Sequence, residues 1–141
     1  MKVIIHTDGA SRGNPGDASV GVVIESENGK KEYSQAIGKQ TNNVAEYSAV
    51  IFALKKSKLL FGSAKAKTLE ILINADSKLV VEQLSGNYKL KNEGIQKLFI
   101  EVWNLRLDFK KVEFKYIPRE QNKDADRLAN EALDGLNKQL F

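Results

Sequence analysis

The sequence predicts an α/β domain: a five-stranded mixed sheet, made of a three-stranded antiparallel meander plus two parallel strands, flanked by helices. Three observations predict it. Runs rich in β-branched residues crowd the first 40 positions and are separated by turn-forming residues, the pattern of strands joined by hairpins. Apolar residues then recur at helical spacing in four later segments. Two further β-rich runs lie between those helical segments, and a strand reached from its neighbour through a helix runs parallel to it by the right-handed crossover rule.

Taken in order, Val3-Ile4-Ile5 reads as a buried strand that ends in Asp8 and hands this acid to a loop, Gly9-Ala10-Ser11-Arg12-Gly13-Asn14-Pro15-Gly16. Asp8 is expected at the strand's tip. Ala18 to Glu27 and Lys31 to Ile37 are the next strands, with Asn28-Gly29 as a two-residue hairpin signal between them. Thr41-Asn42-Asn43 offers a helix cap, and Val44, Tyr47, Ile51 and Leu54 carry a helix to about Leu60, which Phe61-Gly62 ends. Thr68 to Asn74 is the fourth strand and finishes at Asp76, after which Leu79, Val80, Gln83 and Leu84 form a short helix stopped near Gly86. Ile95, Leu98, Phe99, Val102, Trp103 and Arg106 mark a third helix, with Trp103 expected in the core. Val112 to Ile117 is the last strand, closed by Pro118. Ala125, Leu128, Ala129, Ala132, Leu133 and Leu136 stripe a closing helix.

Composition bounds the function. With 141 residues, 42% of them hydrophobic, the chain suffices for a single domain over residues 1–141. The N-terminal apolar run meets Asp8 too soon for a signal peptide, and no apolar stretch approaches membrane-spanning length, so no membrane partner and a cytoplasmic location are expected. The absence of cysteine excludes disulfides and thiolate metal sites, which leaves oxygen ligands or the single His6 for any metal. His6 is read as a packed strand residue. A net charge of +4 and a pI near 9.2 favour a polyanionic partner.

If the fourth strand lies beside the first, Asp8 and Asp76 become neighbours. Two such carboxylates repel unless a cation lies between them, and a hard divalent ion such as magnesium suits oxygen ligands. Glu46, about one turn into the first long helix and beside the small Ala45, is a third candidate ligand. Asp126 and Asp124 compete for a fourth place. Residues two apart on a helix diverge by about 200°, so only one can face the site. With Asn122 as cap, Asp124 suits the first turn of the helix dipole, and Asp126 stands at the edge of the buried stripe.

Four segments in order, Asp8 to Gly16, Thr41 to Glu46, Asn74 to Ser77 and Asn122 to Ala129, resemble the signature segments of ribonuclease H, type 1, and span nearly the whole chain. The resemblance implies a ribonuclease H-like fold and a metal-dependent endonuclease that cuts the RNA strand of RNA/DNA hybrids, leaving 5′-phosphate and 3′-hydroxyl ends. It implies that Asp8, Glu46, Asp76 and Asp126 are catalytic and hold two Mg2+ ions about 3.5 to 4 Å apart, with Mn2+ able to substitute. It further implies that Asn14, Asn42 and Asn43 read the ribose 2′-hydroxyl, and that Lys39, Thr41 and Asn92 form a pocket for a phosphate of the DNA strand. Each also has a plainer reading: Asn14 as a turn residue, Asn42 or Asn43 as a cap, Lys39 as a solvated cation.

Two departures from the family pattern stand out. Ile117 to Asp124 contains no histidine where many members carry one, and Arg119 or Glu120 is the candidate replacement. Arg119, a fixed cation, suits electrostatic help to the phosphate better than proton transfer. Between Leu84 and Ile95 there is no room for the basic helical handle that some relatives possess, and only Tyr88, Lys89 and Lys91 are left to meet a DNA strand. The chain therefore resembles the compact members, with duplex RNA as a second candidate substrate and a monomer expected. A non-catalytic hybrid-binding module and a different nuclease on the same fold are the alternatives.

Overall fold

The computed structural model describes residues 1–139, with side chains through residue 136. The first three strands, β1 (Lys2–Gly13), β2 (Gly16–Ser26) and β3 (Gly29–Gln40), form the antiparallel meander. Helix α1 (Asn42–Phe61) follows, then the one-turn α2 (Ser63–Ala66) and strand β4 (Glu70–Ala75). Helices α3 (Lys78–Leu84) and α4 (Glu93–Arg106) lead to β5 (Lys111–Tyr116), and a 3-10 turn (Arg119–Gln121) precedes α5 (Lys123–Gln139). The sheet order is β3-β2-β1-β4-β5, with β1, β4 and β5 parallel, so the structure has the expected meander plus two parallel strands and puts β4 beside β1.

Strand extents differ from expectation at one functional place. The segment after Asp8 is not a loop: β1 runs on to Gly13 and the reversal is confined to Asn14-Pro15, because Gly9 to Gly13 keep pairing with β2 down to Gly13↔Gly16. Asp8 is therefore mid-strand. It still marks an end, because the parallel ladder with β4 stops at Thr7↔Ala75 while the antiparallel ladder continues. The turn α2 and the 3-10 turn carry no apolar period and escaped the sequence reading.

One face of the sheet packs against α1 and α3, with α4 packed on α1, around Val3, Ile5, Val22, Ile24, Ile71 and Ile73. Two residues of the apolar runs are corrected: strand alternation puts Ile4 on the opposite face, 41% exposed, and the helical turn of α3 leaves Leu79 equally exposed beside the buried Val80 and Val81. Helix α5 covers the other face over β2, β3 and part of β1. Ser19 Oγ donates to Ala129 O at 2.6 Å and Ser34 Oγ to Leu128 O, which fix α5 to the meander. Trp103 is a third correction. It is 45% exposed, because α4 packs on α1 and Trp103 borders a groove beside β5, the last strand of the sheet, where no further strand covers it.

Candidate metal and nucleic-acid site

Two close approaches aim the acids. A Cβ on Gly9 would lie 2.2 Å from the Ala45 carbonyl carbon, so only glycine lets β1 and the first turn of α1 touch. Ala45 itself is fully buried. On the other face a Cβ on Gly21, opposite Asp8 in the β1–β2 register, would lie 2.1 Å from Ala125 O, so α5 also comes down onto the sheet beside Asp8. Asp76 follows directly on Ala75, the last residue of β4.

The result is a cleft of ≈420 Å3 lined by Asp8, Glu46, Asp76 and Asp126 together with Asn42 and Arg119. One carboxylate oxygen from each of Asp8, Glu46 and Asp76 lies within 4.8 Å of the others. Asp126 joins from α5: its backbone N–H donates to Asn122 O at 3.1 Å, and Arg119 lies 3.6 Å from its carboxylate. Asp124 points elsewhere and pairs with Lys30 at 3.3 Å, as the helical divergence of the two acids requires.

The electrostatics are those of negative charge awaiting a cation. Burial, then the neighbouring Asp76, push the Asp8 carboxyl from its ordinary 3.8 up to about 7. Glu46 is held well above its usual range by burial and by Asp8, to whose carboxylate it donates a hydrogen bond when protonated. The Gly9 N–H opposes this by donating to Glu46. Burial also raises Asp76, against a hydrogen bond from Asn122 and the charge of Arg119. Buried oxygens that repel one another and carry excess protons suit a hard divalent cation.

The remaining candidates divide by position. Asn42 lines the cleft, and its backbone N–H donates to Asn14 Oδ1 at 3.1 Å, which ties the β1–β2 turn to the start of α1. Asn43 is exposed on the first turn of α1, and Thr41 caps that helix by accepting from Val44 N at 3.3 Å. Lys39 is exposed near the end of β3, and Asn92 caps α4, accepting from Ile95 N at 3.1 Å. Tyr88 is 45% exposed on the segment between α3 and α4, and neither it nor Lys39, Thr41 or Asn92 lines the acidic cleft. Arg119 stands in the cleft and Glu120 does not; Glu120 lines a separate cavity with the half-buried His6 and Asp124.

Asn122 departs from its expected role. Its side chain does not cap α5 but turns into the sheet, where Nδ2 donates to Thr7 O at 2.9 Å and the residue is 1% exposed. It thereby joins the strand carrying Asp8 to the approach of Asp126, while hydrogen bonding to Asp76. Sequence offered only its nearness to Asp126. Asn130 was also missed: it lines the cleft and donates to Asp126 O at 3.0 Å, a contact its i+4 spacing from Asp126 allows.

Residues 6–132 match the family model described as reverse transcriptase-like. A bifunctional protein of Mycobacterium tuberculosis is 44% identical over 137 residues; the match covers 95% of this chain, which spans 36% of that protein's length. Among solved structures, LC11-RNase H1 in complex with an RNA/DNA hybrid matches with a TM-score of 0.89 at 42% identity, over 95% of this chain and 98% of that one. RNase H1 from the archaeon Halobacterium salinarum matches with a TM-score of 0.86 at 39% identity, over 96% and 99% of the two chains.

Proposed function

The chain belongs to the ribonuclease H family, and from that premise we propose that it is a divalent-metal-dependent endonuclease that hydrolyses the RNA strand of RNA/DNA hybrids. The observation that carries this reading is the convergence of Asp8, Glu46 and Asp76 within 4.8 Å in a site where burial and mutual repulsion raise all three. Asp8, Glu46, Asp76 and Asp126 would hold two Mg2+ ions, or Mn2+ in their place. When bound there, the ions supply a nucleophilic water and stabilise the departing 3′-oxygen, which yields 5′-phosphate and 3′-hydroxyl ends.

The protein's own part is placement. Asp8, with Glu46, Asp76 and Asp126 around it, would be the central ligand of the metal site. Glu46, with the Gly9 N–H behind it, and Asp76, with Asn122 behind it, are held in fixed positions, so little reorganisation accompanies reaction. Asp126 enters from α5 with Arg119 beside it, and Arg119 supplies positive charge to the scissile phosphate and takes the role of the missing loop histidine. Asn14, Asn42 and Asn43 sense the 2′-hydroxyl, the group that separates ribose from deoxyribose. The tie between Asn14 and Asn42 supports a rigid reading surface beside the acids. Lys39, Thr41 and Asn92 receive a phosphate of the DNA strand. The enzyme works as a monomer in this reading, and no helix among the described residues is long and apolar enough to cross a membrane.

The test is parallel incubation of end-labelled RNA/DNA hybrid, duplex RNA and duplex DNA with magnesium, manganese or chelator. Cleavage of the hybrid's RNA strand with either metal, and none with chelator or on duplex DNA, is expected. Hybrid binding without cleavage under any metal would make the chain a binding module instead. Products on duplex RNA would extend its substrates.

A further inference from the structure

A second groove, of ≈490 Å3, lies at the sheet edge between α4 and β5 and is lined mainly by Leu84, Phe99, Val102, Trp103, Val112 and Phe114. None of the four acids reaches it. Strand β5 ends the sheet, so one of its two edges has no strand neighbour. Lys111 N donates to Leu69 O and Ile117 N to Ala75 O, so alternate residues from Lys111 to Ile117 turn their amides towards β4. By the period of two, Val112 and Phe114 turn theirs outward, towards the groove. Unpaired outward amides on an edge strand are a template for an added strand.

The groove's wall supplies a second demand. The Arg106 guanidinium carbon lies over the Trp103 ring, 3.4 Å from its centroid, and its Nε is buried with no hydrogen-bond partner among the described residues. Phe99 stacks on the same indole at 5.9 Å. A guanidinium held by stacking presents its terminal N–H groups, which pair with no carboxylate among the described residues, in a fixed geometry suited to one. Ile100 at 57% and Leu107 at 68% exposure extend the apolar surface along α4 on either side of Trp103.

We propose that this groove binds an extended acidic peptide segment of a partner protein. The segment pairs its backbone with the outward amides of β5, seats an apolar side chain against Phe99, Val102 and Phe114, and meets Arg106 with a carboxylate. A nucleic acid fits less well: its backbone cannot complement a strand edge, and the floor is apolar. Because the groove is separate from the acidic cleft, hybrid and peptide can be held together.

Trp103 is the only tryptophan, so its emission reports on this groove alone. The full chain is titrated with a hexapeptide that alternates glutamate with valine or phenylalanine, with the same peptide carrying lysine for glutamate, and with a single-stranded oligodeoxynucleotide. A saturable change is expected with the acidic peptide, at least tenfold weaker in Arg106→Gln, with preference reversed to the lysine peptide in Arg106→Glu. Hydrogen exchange at the Val112 and Phe114 amides of the unaltered chain should slow when the acidic peptide is bound, a readout that survives if either variant fails to fold. The proposal falls if the acidic peptide gives no saturable change, if the lysine peptide binds the unaltered chain equally well, or if the oligonucleotide binds more tightly than either.

Discussion

Asp8 combines burial with the charges of Asp76 and Asp126, and it takes up protons on folding because its folded value stands near 7 against an ordinary 3.8. A raised acid favours the folded state fully below about pH 4, and that advantage is lost as pH rises through about 7. Without metal, the unaltered chain should therefore lose thermal stability relative to Asp8→Asn as pH climbs across this window. Melting curves of the two proteins in chelator at stepped pH check it. Asp8→Asn itself should fold, melt no lower than the parent at neutral pH, and lose roughly a thousandfold in hybrid cleavage, the scale of removing a preorganised group from a dry site. Protons and metal compete for the same oxygens, so activity should fall below about pH 7, and added magnesium should move that fall to lower pH. At this scale the placement of the acids was legible because Asp76 follows a strand end, Glu46 and Asp126 lie in the opening turns of helices, and Asp8 stands just past the point where β1 leaves β4. Asn122 was misread because its neighbour across the fold, Thr7 O, is 115 positions away and leaves no local trace.

Elements bring those residues together, and two glycines set how near the elements come. Replacing Gly21 with alanine places a methyl 2.1 Å from Ala125 O and 2.6 Å from Ala129 N, so α5 must retreat by roughly 1 Å and take Asp126 with it. The expected outcome for Gly21→Ala is a fall of about a hundredfold in kcat, with a much smaller change in the KM for hybrid, whose phosphate contacts lie elsewhere. Steady-state cleavage kinetics separate the two. The identities and order of the main elements were legible from apolar runs and stripes separated by turn residues, including β2, whose run from Ala18 to Ile24 is buried on both faces. Their limits were less so. The long tail of β1 carries Gly9-Ala10-Ser11-Arg12-Gly13, which reads as a loop because its strand conformation is imposed by the β2 ladder rather than by its own side chains. Trp103 was misplaced for a related reason. Helical spacing shows which residues share a stripe, but not that the sheet ends before the stripe does.

Across the whole molecule the net charge of +4 coexists with a cleft of four acids in which Arg12 and Arg119 are the cations, so most of the positive charge lies outside the cleft. Hybrid affinity should fall steeply with salt, linearly on logarithmic axes. Lys39→Ala should weaken binding evenly across hybrid sequences and lower that slope by about 1, measured by anisotropy with metal replaced by chelator. The fork in the sheet at Asp8 ties alignment to chemistry. Since β1 leaves β4 at Thr7 but stays with β2, inserting one residue between Val3 and Thr7 would rotate every later side chain of the strand to the opposite surface and send Asp8 into hydrocarbon, away from Asp126. Spacing along this short stretch is as much a part of the acidic cleft as the acids themselves, and a family member could drift in many surface positions before it could gain or lose a residue here.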